Sequence, residues 1–324
     1  MELISSSKKP LAFRHISNAT DEILHYIQDR RKGTVNSLKT RWQKFNNACM
    51  GGIEPNTVTT FTGISGSGKS SVVNTLETDL IDLNPGEDIV VLAFSFEMLA
   101  SRQVGRKLSY KLRVSTSELY SSINGVKDEE YDMISKAANQ FKEYPIYYVD
   151  TPANIQEISD TIDYFLETIA KDKWLIVTLD HALLLKGCSG ESERTVIADL
   201  QKLFIAKKKI GRTSIIQICQ MNRNIESPDR INNPMMHYPV RSDISTSDSI
   251  FQASDLVIVI HRPEILGIQE YGVFHYPTKD MVFMHIMKNR EGKLKILKFI
   301  NDLEFNNLKE PDEDSVKQQI TLNL

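Results

Sequence analysis

Short, continuously apolar runs recur along the chain, with amphipathic segments between them. The runs cover residues 57–62, 89–96, 146–149, 174–179, 214–219 and 256–260. Most are β-branched and do not alternate with polar residues, which is the pattern of strands buried on both faces. The segments 70–83, 98–112, 155–170 and 194–208 carry apolar residues at helical spacing. Strands alternating with helices predict an α/β fold, with a mainly parallel, doubly wound sheet flanked by helices. After residue 261 the pattern changes. Residues 281–288 and 293–300 read as two strands joined by Asn289-Arg290-Glu291-Gly292, a C-terminal antiparallel hairpin.

In front of this core, residues 19–31 predict an isolated helix. Asn18 or Thr20 would cap it, Asp21 and Glu22 fall in its first turn, and Arg30-Arg31-Lys32 followed by Gly33 closes it. Tyr26, Leu24 and Ile27 give it an apolar stripe that can pack on its own core or on a neighbouring subunit. The expected organisation is an N-terminal arm and helix over 1–33, the α/β core over 34–308 and an acidic, disordered tail over 309–324. No internal repeat or low-complexity tract interrupts it.

The segment Gly63-Ile64-Ser65-Gly66-Ser67-Gly68-Lys69-Ser70 satisfies G-x-x-x-x-G-K-[ST] and lies between a strand-like run and a helix, the context this phosphate-binding loop requires. Its glycines let backbone N–H groups converge, and the helix adds its positive end. Gly63, Ser65, Gly66, Ser67, Gly68, Lys69, Ser70 and Ser71 are therefore candidate ATP contacts. Lys69 is expected on the β- and γ-phosphates, and the Ser70 hydroxyl on Mg2+. Asp180 ends the run 174–179, where a carboxylate faces the ligand crevice of such sheets, and is the second candidate Mg2+ ligand. Taken alone it would read better as a strand-ending turn aspartate; the P-loop beside it favours the metal reading. In many P-loop proteins an acid follows this residue, but here the place is held by His181. Glu97, at the tip of the strand after the P-loop helix, is the candidate for orienting water; the plainer reading is a helix-initiating glutamate.

Composition adds boundaries. Apolar residues make up 41% and charged residues 25% of the 324, as in an ordinary soluble globular protein. No apolar run approaches the roughly 20 residues that span a bilayer, and the start lacks a signal-peptide core, so a cytosolic location and no membrane partner are expected. Cys49, Cys188 and Cys219 are too sparse for a disulfide framework or a metal site, and Cys219 reads as a buried small hydrophobe. The net charge is −3, with four acids and two lysines in 309–324. That balance shows no basic footprint for nucleic acid but permits a local basic channel.

Several strings resemble the C-terminal motor domain of DnaB-type replicative helicases, across roughly residues 20 to 305. Phe94-Ser95-Phe96-Glu97-Met98 is similar to F-S-L-E-M, and Cys219-Gln220-Met221-Asn222-Arg223 to S-Q-L-N-R. Asp248-Ser249-Ile250-Phe251-Gln252-Ala253-Ser254-Asp255 is similar to G-S-I-E-Q-D-A-D, and Lys288-Asn289-Arg290 to K-Q-R. The resemblance implies a RecA-like P-loop core with Glu97 as the catalytic carboxylate. It implies Gln220 as the γ-phosphate sensor and Arg106 near the nucleotide. It also implies Lys288 and Arg290 as fingers on ATP held by the next subunit of a homo-hexameric ring. Residues two apart on a strand share a face, which suits that pair. The chain departs from the family at His181, where a tyrosine is usual, and at Ser245 and Thr246, where arginine and glutamate are common. There is also no room for the usual N-terminal domain.

The polar stretch 222–249 exceeds the roughly 12–15 residues of an ordinary structureless loop, which points to function or disorder. Arg223, Arg230 and Arg241 from it, and Lys186 from a second loop over 183–193, are the candidate contacts to single-stranded DNA. The expected activity is an ATP-driven helicase moving 5′ to 3′, with a primase, a helicase loader or a single-strand-binding protein as further partners. A RecA/RadA-like recombination ATPase and a KaiC-like regulatory ATPase are the alternatives.

Overall fold

The computed structural model describes residues 13–180, 192–244 and 248–311. Contacts divide the chain into two units, with the second beginning at Leu38. The first is built around α1 (Ile16–Lys32), which starts earlier than the sequence suggests. Neither Asn18 nor Thr20 caps it: a His15 ring nitrogen accepts from the Ser17 amide, and the Thr20 hydroxyl donates back to the Ile16 carbonyl. An extended His15 backbone leaves its ring beside the free N-terminal amides, so the helix begins there. The other end is as expected. Gly33 turns left-handed at φ 72°, its N–H closes onto the last carbonyls, and Arg30, Arg31 and Lys32 face the negative end of the helix.

The second unit runs α2 (Gln43–Ala48), β1 (Val58–Gly63), α3 (Lys69–Asp82), β2 (Ile89–Ser95), α4 (Ala100–Leu112), α5 (Thr116–Leu119), α6 (Asp128–Phe141) and β3 (Ile146–Val149). It continues with α7 (Ile155–Glu167), β4 (Trp174–Asp180), α8 (Glu193–Lys207), β5 (Arg212–Gln220), α9 (Pro228–Ile231), α10 (Asp248–Ala253) and β6 (Leu256–His261). A small hairpin of β7 (Glu270–Tyr271) and β8 (Tyr276–Pro277) precedes β9 (Met281–Asn289), β10 (Lys295–Asp302) and β11 (Asn307–Lys309). One sheet carries nine strands in the order β11-β10-β9-β6-β1-β5-β4-β2-β3. The first six strands of the chain run parallel, and β9, β10 and β11 join antiparallel at the β6 edge.

Alternate residues of the same strands feed different cores, which is what makes the fold doubly wound. Trp174, Ile176 and Ile216 pack with Leu76, Trp42 and Phe299 on the α3 face. Leu175, Val177 and Ile215 pack with Ile158, Ile162, Leu200 and Phe204 beneath α7 and α8. The tail begins later than expected. Leu308 is buried in the first of these cores, Trp42 Nε1 donates to its carbonyl at 2.7 Å, and Glu310 accepts from the Lys44 amide at 2.6 Å. Lys309 to Pro311 thus belong to the packed unit, and the rest of the expected tail lies outside the described residues. Among the described residues no helix is long and apolar enough to cross a membrane.

Candidate nucleotide site

Parallel pairing brings the C-terminal tips of four strands together. Gly63 pairs with Gln220 across β1 and β5, and Ser95 pairs with Asp180 across β2 and β4. The P-loop leaves the β1 tip through Gly63, where a Cβ would come within 2.4 Å of the Ile260 carbonyl and 2.5 Å of Ser67 Oγ. It enters α3 through Gly68, left-handed at φ 101° with Leu303 packed over it. Glycine is required at both places, by close approach at the first and by backbone conformation at the second.

Lys69 is buried and its Nζ donates to the Ile64 carbonyl at 2.8 Å. Burial pushes its pKa down to about 8, with Asp180, Cys219 and Glu97 opposing the shift. Both acids are therefore close enough to Lys69 to act on its charge. Ser70 and Asp180 line the same small pocket. The Ser67 hydroxyl is buried without a hydrogen-bond partner, while Ser65 and Gly66 are exposed. An orphaned hydroxyl, a desolvated ammonium resting on its own backbone and a Ser–Asp pair fit a magnesium nucleotide. Burial raises the Cys219 thiol to about 12, consistent with an inert packed side chain.

Behind the loop lies a buried polar network that sequence reasoning missed. Asn74 on α3 donates to Gln103 Oε1 at 2.8 Å, Gln103 donates to Ser95 Oγ at 2.8 Å, and Ser95 donates to the Met98 carbonyl at 2.7 Å. The last bond closes a turn around Glu97. Glu77, one turn along α3, accepts from Lys107, Thr178 and Tyr148, tying the helix to α4, β4 and β3. Arg262 was also missed. It follows β6 and donates to the Gly66 carbonyl at 3.0 Å, and its Nε is buried without a partner. A cation just past a buried strand tip was the available signal. Arg106, on α4, likewise has a buried Nη1 without a partner. Ser71 donates to Asn306 at 3.2 Å, so in this structure it holds the turn after β10.

Lys288 and Arg290 lie elsewhere. Lys288 pairs with Val257, which pairs with Thr60, three residues before Gly63 and so about 10 Å down the sheet from the P-loop. Arg290 lies further in the same direction. Both cations rest on the Gln252 carbonyl, at 3.1 and 3.2 Å, so they share a face.

A family model for the DnaB-like helicase C terminal domain matches residues 16–310. This chain belongs to the DnaB-like helicase C-terminal domain family. Among its curated relatives, the replicative DNA helicase DnaB of Buchnera aphidicola subsp. Baizongia pistaciae is 25% identical over 272 residues, covering 82% of this chain and 53% of that protein. The DnaB of Mycobacterium leprae is 24% identical over 212 residues, covering 65% and 32%. The chain thus spans between a third and about half of the length of these relatives. In fold it is similar to a solved ATPase domain, with a TM-score of 0.74 at 16% identity, covering 90% of this chain and 98% of that one. It is also similar to a DnaB-like replicative helicase described with its primase interactions, with a TM-score of 0.73 at 15% identity, covering 95% and 69%.

In this DnaB-like domain the stretch after β5 is not a bare loop. It folds as 3-10 turns at Arg223–Glu226, Pro234–Met236 and Arg241–Asp243 around α9. Arg230 is buried, bonded to Asp243 at 2.6 Å and to the Met236 and Tyr238 carbonyls. This overturns its expected role as a DNA contact, because its donors are spent on holding the segment together. Arg223 is exposed. Arg241 is exposed and pairs with Asp248 at 2.8 Å. The stretch is tied to the site, since Met221 N donates to the Gly63 carbonyl and Asn222 N to the Asp243 carbonyl. Lys186 lies outside the described residues, as do the rest of 181–191, with His181 and Cys188, and Ser245 and Thr246. The last two residues of the expected loop, Ser192 and Glu193, cap and open α8.

Proposed function

We propose that this chain is the motor of a ring-forming replicative DNA helicase, hydrolysing ATP to move 5′ to 3′ along single-stranded DNA and open a duplex. Family membership supports an ATP-driven helicase. The observation that carries the ring is the position of Lys288 and Arg290, at the end of the sheet away from their own P-loop. A pair placed there suits a site on another copy rather than its own.

In this reading Lys69 and the P-loop amides bind the polyphosphate, and Ser70 and Asp180 would hold Mg2+. When bound, the ion neutralises charge on the β- and γ-oxygens. Glu97, fixed by the Ser95–Met98 turn, orients the attacking water and takes its proton as the bond from the γ-phosphorus to the bridging oxygen breaks. Arg106 and Arg262 add positive charge from the same subunit, while Lys288 and Arg290 of the next subunit face the charge that develops on the leaving group. Gln220 reports the γ-phosphate to the stretch after β5, where Arg223 and Arg241 take DNA phosphates. A primase, a helicase loader or a single-strand-binding protein is the further partner class, in keeping with the primase-interacting fold relative.

ATP hydrolysis with and without single-stranded DNA tests this, using Lys69→Ala, Arg290→Ala and mixtures of the two. Each variant alone is expected to lose about 10³-fold or more in kcat. Mixtures recover part of it, because one variant supplies the finger and the other the P-loop. No recovery at any ratio rejects the trans arrangement. Forked-duplex unwinding separates this reading from a recombination filament or a regulatory ATPase.

A further inference from the structure

Phe251, on α10, lies between cations with different jobs in the motor reading. The guanidinium carbon of Arg241 is 4.7 Å from its ring centroid, and the ammonium of Lys288 is 5.4 Å away. The Phe251 carbonyl also accepts from Lys288 Nζ at 2.6 Å, and the next carbonyl, of Gln252, accepts from both Lys288 and Arg290. Asp248 at the start of the helix holds Arg241, and Asp255 just past its end pairs with Arg290 at 3.3 Å. One short helix therefore carries Arg241 at one end and both fingers at the other. Ile250 of the same helix is buried with Cys219, the neighbour of Gln220, and with Ile244.

We propose that Phe251 is a positioning residue that couples Arg241 to the Lys288–Arg290 pair, so that a DNA phosphate taken by Arg241 sets the geometry of the fingers. The inference rests on the motor reading above. Cation–π contacts at exposed positions are weak, so a phosphate can compete for Arg241. When it does, the ring loses one of the two cations that fix it. The carbonyls on which the fingers rest belong to that residue and the next, so the disturbance reaches them without crossing a flexible segment. Cation repulsion around one ring falls at the same time. In the resembled family string this position is glutamate, so the aromatic relay is a feature of this chain.

The test measures ATP hydrolysis by the full chain over a titration of oligodeoxythymidylate, for wild type, Phe251→Leu and Phe251→Tyr. Leucine keeps the apolar bulk and removes the ring's quadrupole. The ratio of DNA-stimulated to basal kcat is expected to fall about fivefold in Phe251→Leu, with half-saturating DNA at or below the wild-type value and the KM for ATP near wild type. Phe251→Tyr restores the ratio. Adding Phe251→Leu to Lys288→Ala brings no further loss in that ratio, since both act on one relay. Phe251→Met takes the place of leucine if that variant misfolds. An unchanged ratio, or a loss that appears only as weaker DNA binding, overturns the proposal and leaves the motor reading standing. A wild type that DNA does not stimulate rejects the motor reading itself, and the relay with it.

Discussion

Burial strips water from the Lys69 ammonium and brings its pKa down to about 8, against the pull of Asp180, Cys219 and Glu97. A polyphosphate placed on that amine favours its charged form. Nucleotide binding at pH 8 to 9 is therefore expected to take up as much as one proton, seen as a dependence of the calorimetric enthalpy on buffer ionisation. Equal heats in all buffers contradict this. The unfolded chain holds the Lys69 proton up to its ordinary value of 10.5, so between about 8 and 10.5 the unfolded state binds more protons and stability rises with pH. Lys69→Met should flatten that rise in chemical denaturation. Glu97→Gln should cut turnover by about 10²–10⁴ while nucleotide still binds. The places of Asp180 and Glu97 were legible because each follows a strand-like run at a tip where parallel strands put their ligand groups. Lys69 was legible because it sits in the phosphate-loop motif, and Gln220 only through the family resemblance. Arg262 and the Asn74–Gln103–Ser95 chain were not, because their partners are distant in sequence.

At the level of elements, strands buried on both faces were read to within two residues at most ends, since an unbroken β-branched run has few other uses. The helices α2, α5 and α9 have four to six residues, too few to show a helical period. α6 was missed although Asp128, Glu129 and Glu130 mark its first turn and the Lys127 amide donates to Glu130. The stretch 222–243 shows the limit most clearly. Its polarity suggested a loose DNA-gripping loop, but a buried arginine organises it, and sequence alone does not separate a paired Arg230 from an exposed one. Removing one partner of a buried ion pair strands the other. Arg230→Ala is therefore expected to cost about 3–5 kcal/mol, read by urea unfolding, with faster proteolytic cleavage within 222–243. A variant of wild-type stability that only binds DNA less tightly would return Arg230 to the interface.

For the molecule as a whole, the proposed ring would use the separation between the P-loop and the Lys288–Arg290 edge to tie nucleotide to assembly. A non-hydrolysable ATP analogue should raise the sedimentation coefficient of wild type at fixed protein concentration, and should raise that of Arg290→Ala less. Identical nucleotide responses in the two proteins would separate Arg290 from assembly. Read without a structure, the chain already fixes its fold class, its phosphate loop and the strand tips that carry its acids, because burial and phosphate binding leave local patterns of residue type. Only the folded chain decides which arginine is spent on packing, which residues brace Glu97, and that Arg241 and Lys288 meet on one ring. Those outcomes depend on through-space contacts between segments far apart in the chain, and no local pattern records them.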